Sequence, residues 1–220
     1  MDQYTPTERT LVRRLSKRGV YDKDQVHAIL DEGRICHVGF AVEGQPYVVP
    51  TGYVRVDDQV YIHGSAASRM LRSLDQGIGV CITVTLVDAL VLARSAFHHS
   101  MNYRSVVLLG TARLVTNDEE KLAALRAFTN HMVPGRWEEV RQPTEQELKG
   151  TSVLAVLLDE VSAKVRTGPP IDDEEDYTLP VWAGLVPLET RFGDPVSDGR
   201  VPGGVAPFRL DRLARHAEGD

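Results

Sequence analysis

The sequence predicts a mainly β protein, a small antiparallel barrel with helices packed outside it. Three observations carry this reading. Six or more short, β-rich runs are separated by turn signals along the 220 residues. Successive runs are joined by two-residue turns, Glu43-Gly44 and Asp57-Asp58, which connect antiparallel neighbours and argue against a doubly wound parallel sheet. The clearest helical spacing falls in one early segment and one long late one.

Thr5 to Gly19 carries mixed charge and reads as an arm. Tyr21 to Gly33 has helical spacing, with Val26, Ile29 and Leu30 on one face, Asp22 as cap and Gly33 as stop. Arg34 to Val42, Gln45 to Val56 and Gln59 to His63 are strands. Ser65 to Gln76 is a short helix with Met70, Leu71 and Leu74 together. Gly77 to Leu92 is a long strand, or two with a bend near Asp88. Val106 to Val115 is another strand. Asn117 to Glu120 opens the late helix, whose expected core face is Leu122, Leu125, Phe128 and Met132, ended by Pro134-Gly135. Ser152 to Arg166 is the last strand candidate. Gly168-Pro169-Pro170 breaks the chain, and an acidic run from Asp172 to Asp176 follows. This divides the chain into an arm over 1–20, a barrel domain over 21–188 and an extended tail over 189–220.

Composition narrows the function classes. Apolar content is 42% and charged content 25%, as in an ordinary globular protein. A net charge of −6 argues against a nucleic-acid surface. Cys36 and Cys81 lie in strand-like apolar runs and read as two buried free thiols, without a disulfide framework or zinc site. Met1 to Arg18 lacks the apolar segment of a secretory signal, and no run reaches membrane-span length. A cytoplasmic protein without membrane or nucleic-acid partners is expected.

Polar groups gather at two places. At the first, a strand ends in His63-Gly64-Ser65 and a helix opens at Ser68-Arg69. Hydroxyls, backbone N–H groups and a guanidinium there suit a phosphate. An ordinary helix cap followed by a solvated arginine is the alternative. His63 either donates to a ligand or is satisfied by a backbone carbonyl. At the second place, Asn102, Arg104 and Ser105 precede an apolar strand and either meet a planar polar ligand or meet solvent. His98-His99 do not make a metal site, since adjacent strand residues point oppositely and no third ligand is suitably spaced. The acidic run reads as a solvated loop or as a lid. Trp182 reads as a core anchor or as a ring stacking on a ligand. No nucleophile elbow, Walker loop, dinucleotide fingerprint or acid/base pair is present, so no catalytic residue is assigned. A cofactor carrying the chemistry would account for a site built of binding groups.

The order of these elements resembles a known family. Strand, tight turn, strand, Ser-Arg at a helix start, then the strand Arg-Ser-Val-Val-Leu-Leu-Gly-Thr-Ala-Arg-Leu-Val and a Glu-rich helix is similar to the pyridoxamine 5′-phosphate oxidase-like flavoproteins. The similarity spans roughly residues 22 to 185 and lies nearest the nitroimidazole-resistance subgroup. It implies an FMN-binding split barrel with Greek-key-like strands, and a homodimer holding FMN at its interface. It further implies that Val48, Val49, Pro50 and Thr51 lie along the ring and ribityl chain, that Ile62 and His63 touch them, and that Ser68 and Arg69 hold the phosphate. Asn102, Arg104 and Ser105 would complete the site, from the same or the partner subunit, and Trp182 would pack near the flavin. Thr51 stands where the oxidases carry lysine, and Ser105 where they use glutamine. The oxidases' C-terminal Arg-x-His element is missing, Arg215-His216 standing in another context. The implied activity is therefore a flavin-dependent oxidoreductase acting on a small substrate, nitro-aromatic or otherwise planar, rather than a true pyridoxamine phosphate oxidase. FAD, the deazaflavin F420 and haem stand as alternative cofactors. A flavin or haem carrier or sensor without turnover is the alternative function, and a barrel without cofactor a third.

Overall fold

A short strand, β1 (Gly19–Val20), precedes α1 (Lys23–Glu32). The Asp22 carboxylate accepts from the N–H of Gln25, so one of the helix's free N-terminal donors is satisfied. The two following turns build the sheet. Glu43 and Gly44 take φ of 50° and 80° between β2 (Ile35–Val42) and β3 (Gln45–Val56). That geometry matches the twist of paired strands and makes Val42 face Gln45. Asp57, also at φ 50°, opens the turn into β4 (Gln59–Ser65). This structure, a computed structural model, describes residues 2–203, 205, 206 and 208–214.

The remaining elements are α2 (Arg69–Asp75), β5 (Gly79–Leu92), β6 (Ser100–Thr111), β7 (Arg113–Leu114), α3 (Asp118–Met132), α4 (Glu145–Gly150), β8 (Thr151–Leu157), β9 (Glu160–Arg166), β10 (Gly184–Pro187) and α5 (Asp211–Ala214). The strands form one sheet in the order β1-β9-β6-β5-β2-β3-β4-β8-β7, with β10 added to β5. Every pairing is antiparallel. The sheet curls into a half-barrel around Val38, Tyr53, Ile62, Ile82, Leu108 and Leu154. Tyr53 is fully buried and donates to the Leu30 carbonyl at 2.6 Å, tying α1 to the barrel. Among the described residues no helix is long and apolar enough to cross a membrane.

The elements depart from the sequence pattern at several points and follow it at others. β5 is one strand, and its register shift between Val87 and Ala89 supplies the bend expected at Asp88. The segment from Ser152 to Arg166 is two strands, β8 and β9. β6 begins at Ser100, so Asn102, Arg104 and Ser105 lie within a strand rather than before one. The buried stripe of α3 runs through Ala124, Leu125 and Phe128, while Leu122 and Met132 are exposed. The helix rests through Ala124 on Val54, Tyr61 and Val153, and this small residue turns a different face to the sheet than the larger side chains suggested. Cys36 is buried, and burial pushes its thiol up to about 12; Cys81 is half-buried. The N-terminal arm is packed rather than free: Tyr4 is buried and its hydroxyl meets His27 and Asp58. In the tail, Phe192 lies under the Arg34 guanidinium at 5.2 Å. Arg215-His216 lie outside the described residues.

The acidic run is not uniformly solvated. Asp172 is buried and accepts from the backbone N–H groups of Arg94 and Ser95 and from the Arg94 guanidinium. Burial works against its charge, but those bonds, the Arg94 guanidinium foremost, hold its carboxyl below the usual range. A depressed folded pKa contributes stability that is present above the unfolded value and lost as pH falls through the folded one. Asp172→Asn should therefore be less stable than the wild type at neutral pH. Urea unfolding across pH should show the gap closing below about pH 4.

Candidate functional site

Side chains alternate across a strand, and this sorts the expected site residues. Val49 and Thr51 share the side of Tyr53, toward the barrel interior, where Val49 packs on the core. Ile62 is fully buried there, so its side chain serves the core. Pro50 and His63 face outward. Pro50 stands directly opposite His37 of β2, and Val48 opposite Gly39. Pro50, His37 and Val48 are all exposed.

The β3–β4 ladder ends at Tyr53 and Ile62, placing Gly52 beside His63. Phe128 of α3 covers both. Its ring centroid lies 4.3 Å from that of His63, edge-on at 73°. A Cβ on Gly52 would come within 2.8 Å of the same ring, so only glycine allows this approach. His63 is half-buried, and its side chain makes no hydrogen bond among the described residues. Burial pushes its imidazole below the ordinary histidine range, so it is neutral at physiological pH.

Ser68 occupies the N-cap of α2 but makes no side-chain cap bond. Its hydroxyl is uncommitted among the described residues. The Arg69 guanidinium lies 4.6 Å over the ring of Tyr47. Tyr47 stacks in turn on Phe40 at 5.4 Å and 21°. Arg69 meets no carboxylate among the described residues, whereas Arg55, Arg104 and Arg113 each do. An exposed cation held on an aromatic face, beside a free hydroxyl, suits an anionic group.

The second cluster is divided. Asn102 and Arg104 share the interior side of Val106 and Leu108. The Asn102 amide donates to the Gly168 carbonyl at 3.1 Å and accepts from Arg166. Arg104 is held between Glu32 and Asp88, which raise its pKa further. Neither side chain is free for a ligand in this chain. Ser105 faces outward, on the same face as Pro50, and lines a shallow apolar depression of about 410 Å³ with Thr85, Val87, Met101 and Tyr103. Yet β6 is three strands from β3, about 14 Å at the usual spacing. The structure thus sets Pro50 and His63 on the outer face, carries Arg69 to Tyr47 on the interior side of β3, and sets Asn102, Arg104 and Ser105 apart from both.

Trp182 is 65% exposed, which overturns the core reading. It precedes β10 and covers Gly184, where a Cβ would meet the indole at 2.9 Å. Sequence reasoning missed Tyr47, His37 and Phe128 as members of the site. His37 is recoverable by counting back from the Glu43-Gly44 turn, whose length sets it opposite Pro50. Nothing local marks Tyr47 or Phe128. Among the described residues no group of three or more His, Cys, Asp or Glu side chains converges to hold a metal ion.

A family profile described as pyridoxamine 5′-phosphate oxidase matches residues 22–165. The flavocytochrome Anf3 of Azotobacter vinelandii is 42% identical, with a TM-score of 0.89 over 96% of this chain and 98% of that one. The FAD and heme binding protein of Mycobacterium smegmatis is 35% identical, with a TM-score of 0.85 over 89% and 96%. A Bacteroides thetaiotaomicron protein assigned as a 5-nitroimidazole antibiotic resistance protein shares the fold at 24% identity, with a TM-score of 0.55 over 78% and 90%. Among curated proteins none matches.

Proposed function

Because this chain belongs to the pyridoxamine 5′-phosphate oxidase family, we propose that it is a split-barrel flavoprotein, an oxidoreductase acting between a bound flavin and a small planar substrate. One observation carries the reading: Arg69 is an exposed guanidinium laid on Tyr47, with no carboxylate among the described residues and the free Ser68 hydroxyl beside it. That donor set fits the phosphate of FMN, or a phosphate of FAD. Pro50, Gly52, His63 and Phe128 make a wall on the outer face of β3 and β4 suited to a flat ring. When bound, a flavin supplies the hydride and electron chemistry.

The chain's own groups bind and orient. Arg69 and Ser68 hold the phosphate end. Phe128 shields one edge of the site from water and fixes the His63 ring. A neutral His63 can donate or accept a hydrogen bond at its free nitrogen. Ile35, Val48, Val87 and Met101 are exposed along the outer face, an apolar surface that a second copy would cover. A homodimer with the site at its interface is part of the proposal, and would bring Ser105 of one copy toward the ring held by the other.

A second reading adds haem, or replaces turnover by carriage. It is favoured by His63, whose neutral, unbonded imidazole is competent to ligate iron. The descriptions of the Azotobacter and Mycobacterium proteins point the same way.

The purified protein, titrated with FMN, FAD and hemin in turn, should bind flavin and show absorbance near about 450 nm. A preparation that takes up neither flavin nor haem would sink both readings. Reduction of the flavin complex by NADPH in stopped flow separates an enzyme from a carrier. If haem is taken up, His63→Ala should lose or shift the Soret band. An unchanged band would remove His63 as ligand.

A further inference from the structure

Two charged side chains are buried among the described residues, Arg166 and Asp172. Asp172 is answered by the Arg94 guanidinium and two backbone N–H groups. Arg166, 9% exposed, meets no carboxylate among the described residues. Its one side-chain hydrogen bond among the described residues is to the amide oxygen of Asn102, a neutral acceptor. Acid is not scarce in a chain of net charge −6. Arg9, Arg55, Arg94, Arg104, Arg113 and Arg126 each face a carboxylate although all are more exposed.

What adjoins Arg166 is a second cation. β1 pairs with β9 through Gly19 and Lys164, and this register carries Arg18 toward the end of β9. Arg18 also lacks a carboxylate among the described residues. Burial and the Arg18 charge together push the Arg166 pKa below the ordinary guanidinium value. Buried charges are ordinarily paired, because a neutral hydrogen bond does not offset their desolvation. Two neighbouring cations, one of them buried, leave a counter-charge missing.

We propose that Arg166 and Arg18 form a second anion site, for a phosphate-bearing small molecule, at the end of β9. The local build fits this. Asn102 is itself anchored by the Gly168 carbonyl at 3.1 Å, so it holds one arm of the guanidinium and leaves the rest of the fork to a ligand. Gly168, at φ 97°, turns the chain away directly afterwards. Two guanidinium groups match the charge of a phosphate dianion and its paired oxygens. The site is distinct from Arg69. Arg166 stands opposite Tyr103 on β6, whereas the Tyr47–Phe40 stack lies level with Gly110, about 23 Å along that strand.

The test is isothermal titration with inorganic phosphate at constant ionic strength. It is made on the full chain carrying Arg69→Gln, which removes the first phosphate holder. Uptake should persist there, and Arg166→Gln added to it should weaken binding by at least about tenfold. Arg18→Gln should weaken it by about five- to tenfold while leaving the fold intact, and serves if the Arg166 variant does not fold. Loss of all uptake with Arg69→Gln alone overturns the inference and leaves the Arg69 reading standing. Unchanged binding in either second variant also overturns it. So does a result in which no phosphate binds and Arg166→Gln separates an associated pair into monomers, since the counter-charge is then a carboxylate of a second copy.

Discussion

Replacing Arg69 with alanine should weaken FMN binding by about 1.5–3 kcal/mol, roughly ten- to 150-fold, and leave riboflavin binding nearly unchanged. Riboflavin is the same ring and ribityl chain without the phosphate, so the ratio of the two affinities isolates the charge-assisted contact. The expectation rests on the guanidinium having no internal carboxylate to return to and being held in place by the Tyr47 ring. Fluorescence titration with both ligands decides it. Equal losses for FMN and riboflavin would mean that Arg69 supports the local structure rather than the phosphate. No loss for either would remove it from the site.

The second large effect is on stability. Ile62→Ala should destabilise the protein by about 2–5 kcal/mol, the range for truncating a fully buried aliphatic side chain. Ile62 sits in the main core with Tyr53, Val60 and Leu154, and its backbone closes the β3–β4 ladder. Denaturant unfolding measures the loss. Flavin affinity of the folded fraction should change little, because the side chain points away from the outer face. A stable variant with impaired flavin binding would reverse that assignment.

Ile62 and His63 show how far the sequence could be read. The two tight turns, the Asp22 cap and the antiparallel pairing of β2 with β3 and of β3 with β4 follow from local chemistry, since a cap or a two-residue turn needs only its neighbours. The choice of strand face follows from alternation once one residue is known to be buried, and Tyr53 or Ile62 could have served. The family resemblance alone assigns both Ile62 and His63 to the ligand, although adjacent strand residues point to opposite sides. The rest depended on contacts between distant segments. Phe128 reaches Gly52 and His63 because Ala124 lets α3 settle closely on β3 and β4. Asp172 is buried because the chain after Pro170 returns to Arg94. Arg104 is consumed by Glu32 and Asp88, residues far from it in sequence. None of these partnerships leaves a local mark.

β5 outruns its neighbour. β2 covers it from Val80 to Thr83, while the stretch from Ala89 to Leu92 is paired on that side by β10. The Leu188 N–H adds a bond to the Asp88 carbonyl just beyond. Without those few C-terminal residues, a row of backbone donors and acceptors flanked by Leu90 and Leu92 would be open to any passing strand. The segment thus acts as a built-in guard against self-association into fibres. A chain clipped between Pro180 and Gly184 would keep its barrel and lose its colloidal stability, so proteolysis there would be seen first as turbidity.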